Sequence, residues 1–306
     1  MTVNFSYALI EGAIVVLFFV ACYHAWKRGR AFFLEVTSAA VYGLLLEEGD
    51  ILIFQTYHYS PEFILRIDRV PIAIALAWSI IIYAGMSLSD AYGLSNRVAP
   101  FADALWAIML DLAFDAIAIR LGFWTWIIPL DKGFFGVPAG NFYAWILVAF
   151  SFSACTRVVR LRFSRPSRPY SPWQLGVPLA AYAGLLAGMT PFFAVKNTFF
   201  PEQGGGLPVV WAVLIVFAAI TGWQVRLRGV RANAGFDWLP LLLRLSFHIY
   251  FLAAVLVTGI FHDLPALLAV SLAMLALEVV LVAPLWLRSM PEPADGHRPP
   301  SRSVAR

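Results

Sequence analysis

Nine apolar stretches, most about 20 residues long, alternate along this chain with short polar or charged segments. Stretches of that length cross the hydrocarbon core of a bilayer as helices. They fall at roughly 5–26, 31–48, 70–88, 99–119, 138–157, 174–195, 207–224, 238–260 and 264–287. The second is short and carries Glu35, Glu47 and Glu48, which makes it the weakest member of the set. The last two are joined only by His262, Asp263, Leu264 and Pro265, a link that suits a tight helical hairpin. The expected fold is all-α: a polytopic transmembrane bundle of about nine spans. Residues 1–288 form one membrane domain, with an acid-rich half (1–158), a basic cytoplasmic linker (159–172) and a plainer second half (173–288). Residues 289–306 hold too little apolar surface to fold and are expected to be a disordered cytoplasmic tail.

Charge gives the bundle a direction. Lys27, Arg28 and Arg30 follow the first stretch, and Arg157, Arg160, Arg162, Arg165 and Arg168 follow the fifth. Arg226, Arg228 and Arg231 follow the seventh, and Arg288, Arg298, Arg302 and Arg306 lie in the tail. All fall on one side if nine helices run from an outer N-terminus to a cytoplasmic C-terminus, as the positive-inside bias requires. The opposite loops carry mainly Arg66, Arg69, Arg120, Lys132 and Lys196. The expected home is the inner (cytoplasmic) membrane, as a multi-pass protein.

Composition agrees: 61% of residues are hydrophobic and 13% charged, against about a quarter charged in soluble domains. The net charge of +4 reflects the topology bias, and no basic face interleaved with aromatics points to nucleic acid. The basic linker could meet anionic lipid head groups. Cys22 and Cys155 have no metal or redox spacing. The first stretch lacks a basic leader and a small-residue cleavage site, so it is expected to be a retained helix.

Candidate chemistry concentrates between Asp111 and Trp145. Asp111 and Asp115 are four apart and share one face of the fourth span. Ionisable groups are expensive in lipid and mark function by default. Two close carboxylates in a low dielectric do not both ionise cheaply, so one keeps its proton and the pair offers an acid and a base. The plainer reading is a buried pair satisfied by Arg120 or by backbone. Trp124 and Trp126 follow the acid helix. They suit either an interfacial aromatic belt or a wall that stabilises a cation. Asn141 either caps the fifth span, with Gly136 and Pro138 before it, or holds a water. Glu47 and Glu48 end the second span, and one of them is expected to face the bundle. Tyr57 and Tyr59 are belt residues or part of a substrate site. Glu11, His24, Arg244, His248 and Glu278 read as interhelical hydrogen-bonding groups.

Other chemistries lack their residues. Five histidines, none in an HxxxH or HxxHH cluster, speak against a membrane di-iron oxygenase. No GxGxxG follows a strand, and no NDxxD or DDxxD supports magnesium-diphosphate chemistry. Acid–base chemistry without cofactor or metal remains, or no chemistry at all.

At these residues the sequence resembles the membrane carotenoid hydratase family, which includes the γ-carotene 1′-hydroxylases and bisanhydrobacterioruberin hydratases. The matching text is Asp111-x3-Asp115, Trp124-x-Trp126, and Phe134-Phe135-Gly136-Val137-Pro138-x-x-Asn141-Phe142-x-x-Trp145. Tyr57-x-Tyr59, Val70-Pro71 and Ala77-Trp78 match earlier. The resemblance covers about residues 45–158. Ala116 stands where the family usually has Pro, and Ala144 where it usually has Gly.

The resemblance implies carotenoid biosynthesis by a hydro-lyase. Water adds across the terminal C1–C2 double bond of an acyclic carotenoid ψ-end group, and the partner is a lipophilic isoprenoid delivered by membrane lipid. Asp115 is then expected to protonate the alkene and Asp111 to activate water, or the reverse, helped by Asn141 or Glu47. Trp124, Trp126, Tyr57, Tyr59, Asn141 and Trp145 line the substrate. Two other expectations stand beside it: an intramembrane terpene cyclase, and a proton-coupled transporter or lipid-binding protein without catalysis.

Overall fold

The computed structural model describes residues 3–163, 171–229 and 236–289. Most of the linker after Arg162 and the tail from Met290 onward lie outside the described residues. The helices are α1 (Val3–Arg28), α2 (Arg30–Phe54), α3 (Ile72–Ala91), α4 (Ala99–Ala118), α5 (Ala139–Phe163), α6 (Val177–Phe199), α7 (Leu207–Arg228), α8 (Trp238–Thr258), the single turn α9 (Ile260–Asp263), and α10 (Pro265–Ser289). Nine of them, all but α9, coincide with the nine apolar stretches among the described residues. Seven are long and apolar enough to cross a bilayer by composition. The other two, α2 and α4, have the length but carry the acids. The protein is a multi-pass membrane protein.

The acids are tolerated because their helices are not at the lipid surface. In α4, 17 of 20 residues are buried. It packs against α3, α5, α7, α8 and α10, so Asp103, Asp111 and Asp115 are buried within the protein and away from lipid. Helix α2 runs six residues past the expected end at 48. Its extra turn keeps Asp50 helical and closes at Gln55, in the left-handed conformation (φ 51°). Helices α2 and α3 touch closely at Gly43: a Cβ there would lie 2.7 Å from the Ala75 carbonyl oxygen and 2.9 Å from Trp78 Cβ.

One end of the bundle is bound by buried charge. Arg157 Nη1 donates to Asp90 (2.7 Å) and its Nη2 to Asp103 (3.0 Å). Arg160 bonds Glu35 and Asp90, and Gln174 donates to Ser38 and Thr156. The C-terminal ends of α3 and α5 therefore meet the N-terminal ends of α2, α4 and α6, as alternating helices must. A second buried pair, Arg244 with Glu278, joins α8 to α10, and Arg244 also donates to the Trp106 carbonyl on α4 at 2.8 Å. This is the interhelical role expected of those residues.

The opposite end carries short strands. Strand β1 (Tyr57–Tyr59) pairs antiparallel with the last strand, β4 (Trp124–Trp126). Two short strands, β2 (Arg66–Ile67) and β3 (Val70–Pro71), form a second pair between them. Glu11 on α1 accepts the backbone N–H groups of Ile64 (2.9 Å) and Leu65 (3.1 Å) and pins this region down.

Candidate active site

The β1–β4 ribbon places four aromatic rings by strand period. Tyr57 faces Trp126 and Tyr59 faces Trp124 across the pair. His58 and Thr125, out of phase, are exposed. Alternation along a strand puts all four rings on one face. Beneath them lies a cavity of about 540 Å³.

Three carboxylates, Glu47, Asp50 and Asp115, reach its wall, the first two from α2 and the third from α4. Asp115 Oδ1 accepts from Trp124 Nε1 at 2.8 Å, and its Oδ2 from Asn141 Nδ2 at 2.6 Å. Glu47 Oε2 accepts from the Tyr59 hydroxyl at 2.6 Å and from the Tyr57 hydroxyl; its Oε1 accepts from Trp78 Nε1 at 2.6 Å. Burial first, and then the adjacent Glu47 carboxylate, holds both tyrosine phenols well above their ordinary value. They therefore remain O–H donors to Glu47 at any physiological pH. Three donors fix the orientation of this carboxylate.

Asp111 stands elsewhere. It is buried one turn behind Asp115 and does not line the cavity. Its oxygens accept from the same Asn141 amide at 3.1 and 3.3 Å. Asn141 thus joins the two aspartates, and Arg120 does not: its Nη1 donates to the backbone carbonyls of Ala116 and Phe135. Gly136 (φ 86°) shapes the turn before α5 and sits where a Cβ would press on Leu130 and Ile119. That turn delivers Asn141 to the acids. Trp145 packs on Trp78 with centroids 4.1 Å apart and also lines the cavity. Glu48 is partly exposed and accepts weakly from the Arg69 N–H (3.4 Å), so Glu47 is the member of the pair that faces inward.

The remaining walls were not legible beforehand. Phe114, Phe247 and Phe251 build an apolar floor, with Phe114 and Phe251 stacked at 4.6 Å. Trp78 and Asp50 add a donor and a carboxylate. Asp50 is three residues after Glu47, a spacing that could have flagged a shared face. Exposed Gln55, Thr56, Asn197 and Gln203 line the other end and make it a polar mouth. Among the described residues, no three His, Cys, Asp or Glu side chains are grouped to hold a metal ion. The partners of these acids are indoles, phenols and one amide.

A family model described as carotenoid biosynthesis protein matches residues 4–218, more than two thirds of the chain. The chain belongs to the carotenoid biosynthesis protein family. The family match extends beyond the 45–158 segment on which the sequence resemblance rests, taking in α1, α6 and half of α7. No curated protein and no solved structure matches the chain. Membership of this family assigns the protein a role in carotenoid biosynthesis, and the cavity with Asp115 and Glu47 on its wall is the candidate site for that role.

Proposed function

We propose that the protein is a hydro-lyase that adds water across the terminal C1–C2 double bond of an acyclic carotenoid ψ-end group. The observation that carries this reading is that Asp115 and Glu47 face one aromatic-walled cavity with a polar mouth and an apolar floor. Family membership supplies the substrate class. A volume of about 540 Å³ suits an end group rather than a whole carotenoid, so the polyene extends into the bilayer.

Asp115, in its protonated form, gives its proton to C2 and leaves a tertiary cation at C1. Indole and phenol faces of Trp124, Trp126 and Tyr57 stabilise that cation, each such contact being worth about 2 kcal/mol when desolvated. A water entering from the mouth forms the C1–O bond and passes its surplus proton to the Glu47 carboxylate. Return of one proton to Asp115 closes the cycle, so the net change is one alkene and one water to one tertiary alcohol. Asp111, off the wall, acts through Asn141 by fixing the position of Asp115. This replaces the expectation that Asp111 itself activates the water.

Expression in a bacterium that accumulates lycopene and γ-carotene tests the reading. Chromatography and mass spectrometry of the pigments should show a product heavier by one water, lost in Asp115→Asn with the protein still present in the membrane. An Asp115→Asn chain that still makes the hydrate would overturn the acid assignment. A product of unchanged mass with a new ring would make the protein a cyclase. Pigments left unchanged by the native chain would remove the carotenoid hydration reading.

A further inference from the structure

A cavity of about 540 Å³ takes an end group, so the rest of a carotenoid chain must leave it somewhere. Toward α1 and α8 it is shut: Ile14 (3% exposed), Phe247 (5%) and Phe251 (4%) line it there. Toward the C-terminal ends of α2 and α6 the wall is thinner. Phe54 and Phe193 line the cavity, both half-buried, and their rings meet with centroids 5.5 Å apart. Next to them Leu52 and Ile53 on α2, and Val195 and Phe199 on α6, are exposed. An exposed apolar surface of this kind is where a multi-pass protein meets lipid. The two rings are thus a single layer of side chains between the cavity and the acyl chains. Polar groups lie on both sides of them. On one side the Tyr182 hydroxyl bonds Asp50 and takes the place that a Cβ on Gly49 would need, which fastens α6 to α2. On the other lie Gln55, Asn197 and Gln203 of the mouth. Pro191, two residues before Phe193, lacks the N–H that would bond the preceding turn, so the last turns of α6 are less firmly held.

We propose that Phe54 and Phe193 form a lateral gate, through which the end group enters from the bilayer and between which the polyene then lies. This rests on the carotenoid substrate of the reading above. A polyene is flat, rod-like and without polar atoms, so it suits a slit between two aromatic faces. The empty gate is closed by ring on ring. The occupied gate exchanges that contact for ring on polyene on both sides, so apolar surface stays covered in either state. The polar groups on each side confine the chain to the slit. Substrate and water therefore arrive by separate routes, the first between the helices and the second through the mouth.

The test uses the full-length chain in lipid vesicles, with Cys22→Ser and Cys155→Ser. Phe193→Cys in this background is modified with a bulky methanethiosulfonate, which a thiol reductant removes. Two substrates are offered: lycopene, and a short acyclic alkene that carries the same end group and fits the cavity whole. Modification should abolish hydration of lycopene and leave that of the short alkene near its unmodified rate, and reductant should restore the first. A filled cavity or a disturbed fold lowers both substrates together. That parallel loss, or lycopene hydration that survives modification, would overturn the gate. The same reagent on Leu9→Cys, at the exposed face of α1, should spare both substrates. Selective loss of lycopene hydration there would move the entrance to α1 and α8 and also overturn the gate. If the native chain hydrates neither substrate, the hydration reading fails and occupancy decides the gate by itself. Benzoylphenylalanine at exposed Ile53 should then photo-cross-link lycopene, and at Leu9 it should not. The same cross-link decides if Phe193→Cys does not accumulate in the membrane. No adduct at Ile53, or equal adduct at both positions, would overturn the gate.

Discussion

Asn141 has two amide hydrogens, and they go to different carboxylates. It holds Asp111 and Asp115 in one arrangement, so Asn141→Leu should lower turnover by about ten- to hundredfold, the value of one or two hydrogen bonds to charged groups. Native turnover in that variant would show that the amide is dispensable. Trp124→Phe loses the N–H on Asp115 and exchanges the indole face for a smaller phenyl one, so a fall of about tenfold or more is expected there from the same assay. Part of this was readable beforehand. The four-residue spacing alone puts the two aspartates on one face, and Glu47 stood out as an acid near the end of a span. That Asp111 sits behind the wall, and that Trp78 and Phe247 belong to the site, depends on how α3, α5 and α8 rotate against α4. No local pattern encodes that rotation.

Among the elements, the apolar stretches located the long helices because lipid enforces both length and composition. Helix α2 shows where that signal stops. Glu47, Glu48 and Asp50 read as the end of a span, yet the helix continues because Glu47 finds three donors and Asp50 faces a cavity. The aromatic residues at 57, 59, 124 and 126 resembled a membrane belt. Pairing between distant strands, which single-sequence periodicity does not report, turns them into a lid. The approach of α2 to α3 at Gly43 sets how far Glu47 stands from Trp78. Gly43→Ala forces the helices apart and should cost about 1–3 kcal/mol, seen as a lower thermal midpoint in detergent together with reduced turnover. An unchanged midpoint would mean that the contact has slack.

For the molecule as a whole, the buried Arg244–Glu278 pair holds the two helices of the C-terminal hairpin together, and the bond from Arg244 to the Trp106 carbonyl ties them to α4. Removing one partner leaves a charge without its counterion, so Glu278→Ala should destabilise by about 3–5 kcal/mol. The double variant Arg244→Leu/Glu278→Leu, with neither charge, should recover most of that loss in the same unfolding measurement. Equal damage in both variants would argue against the charge as the cause. The arginine bias predicts which end faces the cytoplasm. In a chain with Cys22 and Cys155 replaced by Ser, a cysteine at exposed Thr125 should react with an impermeant thiol reagent added outside intact cells. One at exposed Leu227 should not. The opposite labelling would invert the bundle.

The family match ends at residue 218, inside α7, yet Phe247 and Phe251 of α8 supply part of the cavity floor. The acids on the cavity wall and this part of its floor therefore come from separate parts of the chain. On the proposed reaction, changes at Phe247 and Phe251 are expected to reshape the floor on the α8 side, while Phe114, Asp115 and Glu47 remain on α4 and α2. If the proposed reaction holds, selectivity among carotenoid ends is open to redesign from a helix that holds none of the acids.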